Sequence, residues 1–279
     1  MQLARTVADL RKAGAGWRAN GERIGLVPTM GALHAGHMAL VAAARAACDR
    51  VVVSIFVNPK QFGPAEDLSS YPRPEATDLD MLRRAGIDLA YLPGVEEIYP
   101  PGFATLVRVA GLSEGLCGAH RAGHFDGVAT VVAKLLIQVQ PDIAYFGEKD
   151  YQQLTIVRRL ARDLDLPVRI EGVPTVREPD GLALSSRNVY LSAEERRIAP
   201  NLARVLRAIA AALAREPDMV ARELARGTAE LERAGLTVEY LEIRDAETLA
   251  PVTAKITAPS RAFAAIHLGR TRLIDNLPI

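Results

Sequence analysis

Short runs of β-branched and aliphatic residues alternate along the chain with longer stretches whose apolar positions recur at helical spacing. "RIGLVP" (23–28) and "RVVVSIFVNP" (50–59) read as buried strands, and the Ala-rich "HMALVAAARAACD" (37–49) between them reads as a helix. Residues 23–59 are therefore a strand–helix–strand unit. The rhythm repeats: a helical "ATDLDMLRRAG" precedes "IDLAYLP", "VATVVAKLLIQV" precedes "PDIAYFGEKD", and "YQQLTIVRRLARDL" precedes "PVRIEGVPTV". In the last helix Leu154, Val157, Leu160, Ala161 and Leu164 line up as one apolar face. The opening "MQLARTVADLRKAGAG" reads as a short amphipathic helix without the apolar core of a signal peptide.

Strands alternating with helices predict an open, mainly parallel α/β sheet covered on both faces. Ligands of such sheets bind outside the carboxyl ends of the strands. Three polar, loop-forming segments fall at such ends: the turn at 28–37, "VNPKQFG" (57–63) and "GEKDYQQ" (147–153). Beyond residue 176 the character changes. "VREPDGLALSSRNVYLS" is a polar loop, and Ser192 with Glu195 forms a capping box for the helix that follows. From there to Ala234 two helices are expected, broken near Pro217, and then the short strands "TVEYLEIRD", "RAFAAIHLG" and "TRLIDN". A domain boundary is placed in 176–190, giving a larger domain at 1–176 and a smaller α/β lid domain at 177–279.

Composition narrows the classes. With 279 residues, 49% of them hydrophobic, the chain can bury a large core. A formal net charge of +1 argues against a broad nucleic-acid or membrane surface. Any polyanion handled here is small and held in a local pocket. No uncharged apolar run approaches the ~18 residues of a membrane span. Cys48 and Cys117 are far apart, make neither a zinc cluster nor a CxxC pair, and read as small apolar fillers in a cytoplasmic protein.

"VPTMGALHAGHMALV" (27–41) holds two of the five histidines. With a helix starting near His34, His34 and His37 share one face of its first turn, and Gly36 lets a ligand approach closely. A helix N-terminus favours anions, and two imidazoles there can donate to phosphoryl oxygens as charge develops. Capping or packed histidines are the plainer alternative; a metal site lacks an evident third ligand. There is no GxxxxGK[ST] and no GxGxxG after the strand. "LSSRN" (184–188) offers the hydroxyls of Ser185 and Ser186 and the fork of Arg187. "GEKDYQQL" offers Lys149 for a phosphate, Asp150 for ribose or metal-bound water, and the Gln153 amide. Asn58 and Gln61 are uncharged amides suited to a hydroxy acid, and "CGAHRAGHFDGV" places His120, Arg121 and His124 in a Gly-rich loop able to close over a site.

Six segments in series, PTMGALHAGH (28–37), SIFVNPKQFG (54–63), YPR (71–73), HFDGVATVVAKL (124–135), FGEKDYQQL (146–154) and GLALSSRN (181–188), closely resemble the pantoate–β-alanine ligase family. That family is similar to the HIGH-motif nucleotidyltransferases, and the resemblance implies a Rossmann-like parallel-sheet domain. It implies ATP-dependent condensation of (R)-pantoate with β-alanine through pantoyl adenylate, releasing AMP and pyrophosphate, with Mg²⁺ accompanying ATP. No covalent enzyme intermediate is implied, consistent with the lack of a Ser-His or Cys-His signature.

Carried over by position, Met30, Gly31, His34, Gly36 and His37 belong to the ATP turn, with His37 as proton or hydrogen-bond donor and His34 beside it on the phosphates. Gln61 and Gln153 would hold pantoate. Gly147, Lys149, Asp150 and the Val176 backbone would take the adenosine side, with Lys149 on phosphate, and Leu184, Ser185, Ser186 and Arg187 would close over the β- and γ-phosphates. Protein metal ligands are not assigned, though Asp78 is an outer candidate. The resemblance also implies a homodimer, for which the apolar "VVVSIFV" is a candidate interface region. Two rivals remain: a nucleotidyltransferase that stops at an adenylated product, and a nucleotide-binding regulator without turnover.

Overall fold

Six short, mostly apolar segments pair side by side as parallel strands, and the chain crosses between them through helices. The structure, a computed structural model, describes residues 1–64 and 66–279. In chain order its elements are β1 (Gln2–Ala4), α1 (Val7–Ala19), β2 (Ile24–Thr29), α2 (Ala35–Ala47), β3 (Arg50–Ile55), α3 (Glu75–Arg84), β4 (Leu89–Tyr91), α4 (Val95–Ile98), α5 (Cys117–His120), α6 (His124–Val139), β5 (Ile143–Gly147), α7 (Tyr151–Asp163) and β6 (Arg169–Val173). There follow α8 (Ala193–Ile198), α9 (Asn201–Leu213), α10 (Val220–Arg233), β7 (Thr237–Asp245), β8 (Ser260–Leu268) and β9 (Thr271–Pro278). They divide into two units. One comprises Met1–Glu114, Gly118–Glu148 and Gln153–Pro174; the other comprises Gly115–Cys117, Lys149–Gln152 and Thr175–Ile279.

The first unit is built on a parallel sheet of order β1-β4-β3-β2-β5-β6. The chain moves outward from β2 through β3 to β4, then returns to the other side of β2 with β5. The strand order therefore reverses between β2 and β5, where open α/β sheets place their ligands. β2 pairs with β3 over six residues, from Ile24 to Thr29, but with β5 only at Gly25 and Leu26. Beyond Leu26 that ladder stops, while β5 runs on to Gly147. The α/β class and the parallel sheet follow the sequence expectation.

The second unit carries a three-stranded antiparallel sheet, β7-β8-β9, with a bulge between Val238 and Tyr240. Leu202, Val205, Leu206 and Ile209 of α9 join Ala262, Ala264 and Ile266 of β8 in its core.

Several expectations need correction. The turn at 28–37 follows the second strand, because Gln2–Ala4 is itself a strand paired with β4; three residues are too few to show a period-two pattern. The stretch after Ser192 holds three helices rather than two. Pro200, which has no N–H to donate, separates α8 from α9. Leu164 lies just past the end of α7 and is 50% exposed, unlike Leu154, Val157, Leu160 and Ala161 within the helix. In "VVVSIFV", the candidate interface region, Val51, Val52 and Val53 are at most 1% exposed and β3 is paired on both edges, so those three side chains belong to the chain's own core. The two thiols are not in wholly apolar surroundings, since Cys48 Sγ lies 3.6 Å from the Tyr145 hydroxyl and Cys117 Sγ 3.1 Å from that of Tyr240.

Helix α6 packs so closely on the 3₁₀ turn Pro59–Gln61 that a Cβ on Gly127 would sit 2.1 Å from the Lys60 carbonyl oxygen. Gly127→Ala is expected to cost about 1–3 kcal/mol and to lower Tm by roughly 2–4 °C for each kcal/mol. Gly16→Ala, where nothing lies within 4 Å, should leave Tm unchanged or raise it. Thermal unfolding of the two variants checks the contrast, and equal Tm values would refute it.

Candidate active site

The turn after β2 is shaped by polar contacts that begin in the strand itself. Thr29 Oγ1 donates to the Ser54 carbonyl at 2.8 Å and accepts the Gly31 amide at 3.1 Å. Gly31 (φ 82°) and Ala32 (φ 51°) then adopt left-handed backbone, a conformation that costs an alanine about 1–2 kcal/mol. The side chain that holds it is Asp78 of α3, whose two carboxylate oxygens accept the amides of Ala32 and Leu33, each at 2.8 Å. Asp78 is 1% exposed. Burial raises its pKa above the usual carboxylate value, and the two amide hydrogen bonds work in the opposite direction.

That turn delivers His34 as the N-cap of α2. Its Nδ1 accepts the Gly36 amide at 3.1 Å, while Nδ1 of His37 accepts the His34 amide at 3.3 Å. Two imidazoles thus make the reciprocal cap that a serine and a glutamate usually make. Their centroids are 4.1 Å apart. An Nδ1 that accepts carries no proton, so each neutral ring bears its hydrogen on Nε2. The capping alternative and the chemical one are therefore compatible, because they use opposite edges of the same rings.

The segment after β3 is held from several sides. Asn58, 1% exposed, donates Nδ2 to Gln61 Oε1 and to the Gly127 carbonyl, both at 3.1 Å. Its Oδ1 accepts the Tyr99 hydroxyl at 2.7 Å. So oriented, Gln61 directs Nε2 to the Met30 sulfur at 3.0 Å, joining two of the expected site residues. The backbone is anchored by His124, whose Nε2 faces Arg121 Nη1 at 2.9 Å and whose Nδ1 faces the Gln61 carbonyl at 2.7 Å. Because Arg121 can only donate, Nδ1 is the ring's donor to Gln61. Arg121 is fixed in turn by Glu66, with contacts of 2.8 and 2.6 Å. Burial works to raise the Glu66 pKa, but the hydrogen bonds and charge of Arg121 outweigh it and hold it below the usual value. Two residues of the Gly-rich loop, Arg121 and His124, thus form a brace against the Gln61 backbone. Sequence offered no local sign of it, nor of Asp78 as the support of the histidine turn.

The other expected residues divide by unit. Gly147 ends β5, and Gln153, half-buried on α7, lies with it in the first unit. Its neighbour Gln152 is structural, binding the Cys117 amide and the Gly115 carbonyl. Lys149, Asp150, Val176 and Leu184–Arg187 belong to the second unit. Lys149 Nζ is 3.8 Å from Asp150 Oδ1. The Val176 carbonyl accepts the Leu184 amide at 3.0 Å, closing a hairpin that leads into Ser185, whose Oγ accepts the Arg187 amide at 3.3 Å. Among the described residues no group of three or more His, Cys, Asp or Glu could hold a metal ion, and no helix is long and apolar enough to cross a membrane.

The profile of the pantoate-beta-alanine ligase family matches residues 2–278. The chain belongs to that family. A pantothenate synthetase of Rhodospirillum rubrum is 54% identical over 283 residues, spanning 100% of this chain and 99% of that protein. One from Chelativorans sp. is 56% identical over 278 residues, covering 99% and 97%. The crystal structure of pantothenate synthetase from Thermus thermophilus compares at a TM-score of 0.92 and 52% identity, over 99% of each chain. Pantoate-beta-alanine ligase from Francisella tularensis, complexed with beta-gamma ATP and beta-alanine, compares at 0.82 and 33%, over 99% and 97%. The enzyme is a ligase that joins pantoate to β-alanine.

Two variants check the supports of this site. Asp78→Asn retains one oxygen for two amides, so pantothenate formation should fall by about tenfold or more; steady-state rates equal to wild type would refute its role. Glu66 contributes stability that is present above its unfolded value of about 4.3 and is lost as pH falls through its lower folded value. Glu66→Gln should therefore lower stability at pH 7 by about 1–3 kcal/mol and flatten the acid side of the curve. Parallel stability–pH curves for the two proteins would contradict this.

Proposed function

We propose that the ligation proceeds in two steps at the carboxyl ends of the parallel strands. In the first, a carboxylate oxygen of (R)-pantoate attacks the α-phosphorus of ATP; the new O–P bond forms as the bond to the β-phosphate oxygen breaks, and pyrophosphate leaves. In the second, the neutral amine of β-alanine attacks the acyl carbon of pantoyl adenylate. The C–N bond forms, AMP leaves with the electron pair of the C–O bond, and the nitrogen loses a proton to give pantothenate. The reading is supported above all by the pair of rings that cap α2 while carrying Nε2–H, at the point where the strand order reverses.

That cap supports one role for the histidines over the other. A ring acting as general acid would begin as imidazolium, with a proton on each nitrogen, and could not accept an amide at Nδ1. His37 and His34 thus act as neutral hydrogen-bond donors to phosphoryl oxygens, stabilising charge in the transition state. Met30, Gly31, Gly36 and Gly147 line the nucleotide, Lys149 contacts a phosphate, and Asp150 and the Val176 backbone lie on the adenosine side. Leu184, Ser185, Ser186 and Arg187 bind the β- and γ-phosphates. Gln61, already oriented by Asn58, and Gln153 hold pantoate. Mg²⁺, when bound with ATP, neutralises phosphate charge. Such an ion would be held mostly by phosphates and water, with Asp150 accepting from its waters. A homodimer in the cytoplasm completes the proposal and rests on the family resemblance.

Purified protein given ATP, pantoate, β-alanine and Mg²⁺ should release AMP and pyrophosphate in equal amounts. ADP and phosphate would overturn the scheme, and pyrophosphate without pantothenate would mean that the reaction stops at the adenylate. His37→Ala should lower kcat by about 10²–10³ with a far smaller change in the KM for ATP. Unchanged turnover would remove His37 from the chemistry.

A further inference from the structure

Two adjacent residues of the last strand reach both of the second unit's nucleotide segments. Asp275 and Asn276 on β9 are 3% and 2% exposed, far along the chain from every motif described above. Asp275 takes the fork of Arg177 in bidentate fashion, Nη1 to Oδ2 at 2.6 Å and Nη2 to Oδ1 at 2.8 Å. Arg177 Nη1 also donates to the Gly181 carbonyl at 3.1 Å. Arg177 pairs with Ala183 across the hairpin that the Val176–Leu184 bond closes, so this contact holds the stem that leads into Ser185–Arg187. Asn276 reaches the other segment. Its Nδ2 donates to the Lys149 carbonyl at 2.9 Å, and its Oδ1 accepts Arg261 Nε at 2.8 Å. The Arg261 guanidinium in turn lies 3.9 Å from the centre of the Tyr151 ring.

Stability alone does not account for this arrangement. A buried ion pair gains little over apolar residues of the same volume, because desolvation offsets its attraction. A bidentate fork and a side-chain amide on a carbonyl do what an apolar pair cannot: they set the position and direction of a main chain. The two residues share one hydrogen bond as well, since Asp275 Oδ1 accepts the Asn276 amide at 2.8 Å.

We propose that Asp275 and Asn276 are positioning residues for ATP. Asn276 sets the main-chain path at Lys149, and Asp275, through Arg177, sets that of Leu184–Arg187. The inference rests on the nucleotide roles given above to those two segments.

The test is a double-mutant cycle read in the KM for ATP. Asn276→Asp keeps an acceptor for Arg261 but removes the donor to Lys149. It should raise the KM for ATP by about fivefold or more, with the KM values for pantoate and β-alanine within about twofold. In a Lys149→Ala background the same substitution should change the KM for ATP by about twofold or less, because the two residues act as a unit. An undiminished effect in that background, or no effect in wild type, would overturn the inference. Lys149→Ala without effect on the KM for ATP would instead strike the role given to Lys149, and the inference with it. If Asn276→Asp does not fold, Arg177→Lys takes its place. It keeps the charge but loses the fork, and its effect should shrink in an Arg187→Ala background; independent effects there overturn the inference equally.

Discussion

The carboxylate of Asp78 determines where α2 begins. Between β2 and that helix the chain turns through left-handed backbone at Gly31 and Ala32, and only the glycine does so without strain. The two charge-assisted bonds from Ala32 and Leu33 offset both the alanine's conformation and part of the carboxylate's desolvation. Because Asp78 sits on α3, the turn is secured to a helix that leads into β4, so the histidines inherit their placement from the sheet. Shift the turn by one residue and His34 would no longer cap the helix, nor would His37 find the His34 amide.

Where pattern is local and strong, the fold could be read from the chain. The runs around Ile24–Thr29, Arg50–Ile55 and Ile143–Gly147 are apolar and β-branched, and all three are strands. Where the signal is short or ambiguous it could not. Gln2–Ala4 is too brief to show a period. The apolarity of "VVVSIFV" marks a strand buried on both faces of a parallel sheet, and Val51, Val52 and Val53 are spent there. Pro200 breaks a helix that Ala, Arg and Glu would otherwise continue.

The site shows the same division. The spacing of His34 and His37 revealed a shared face on the first turn of a helix, but not which nitrogen each ring turns inward, since that depends on amides placed by Asp78. The brace of Glu66, Arg121 and His124 joins residues more than fifty positions apart, and no window of sequence contains it. Gln152 and Gln153 are the same residue type side by side, yet the first is spent on the backbone at 115–117 and only the second is a candidate for substrate. Asp275 and Asn276 read simply as part of a strand.

The short ladder between β2 and β5 has a consequence for the two turns that follow these strands. Beyond Leu26 β2 continues in register with β3, while its ladder with β5 has ended. The two strands can therefore part at their carboxyl ends, one leading to the histidine cap of α2 and the other to Gly147, without breaking any rung of the ladder that joins them.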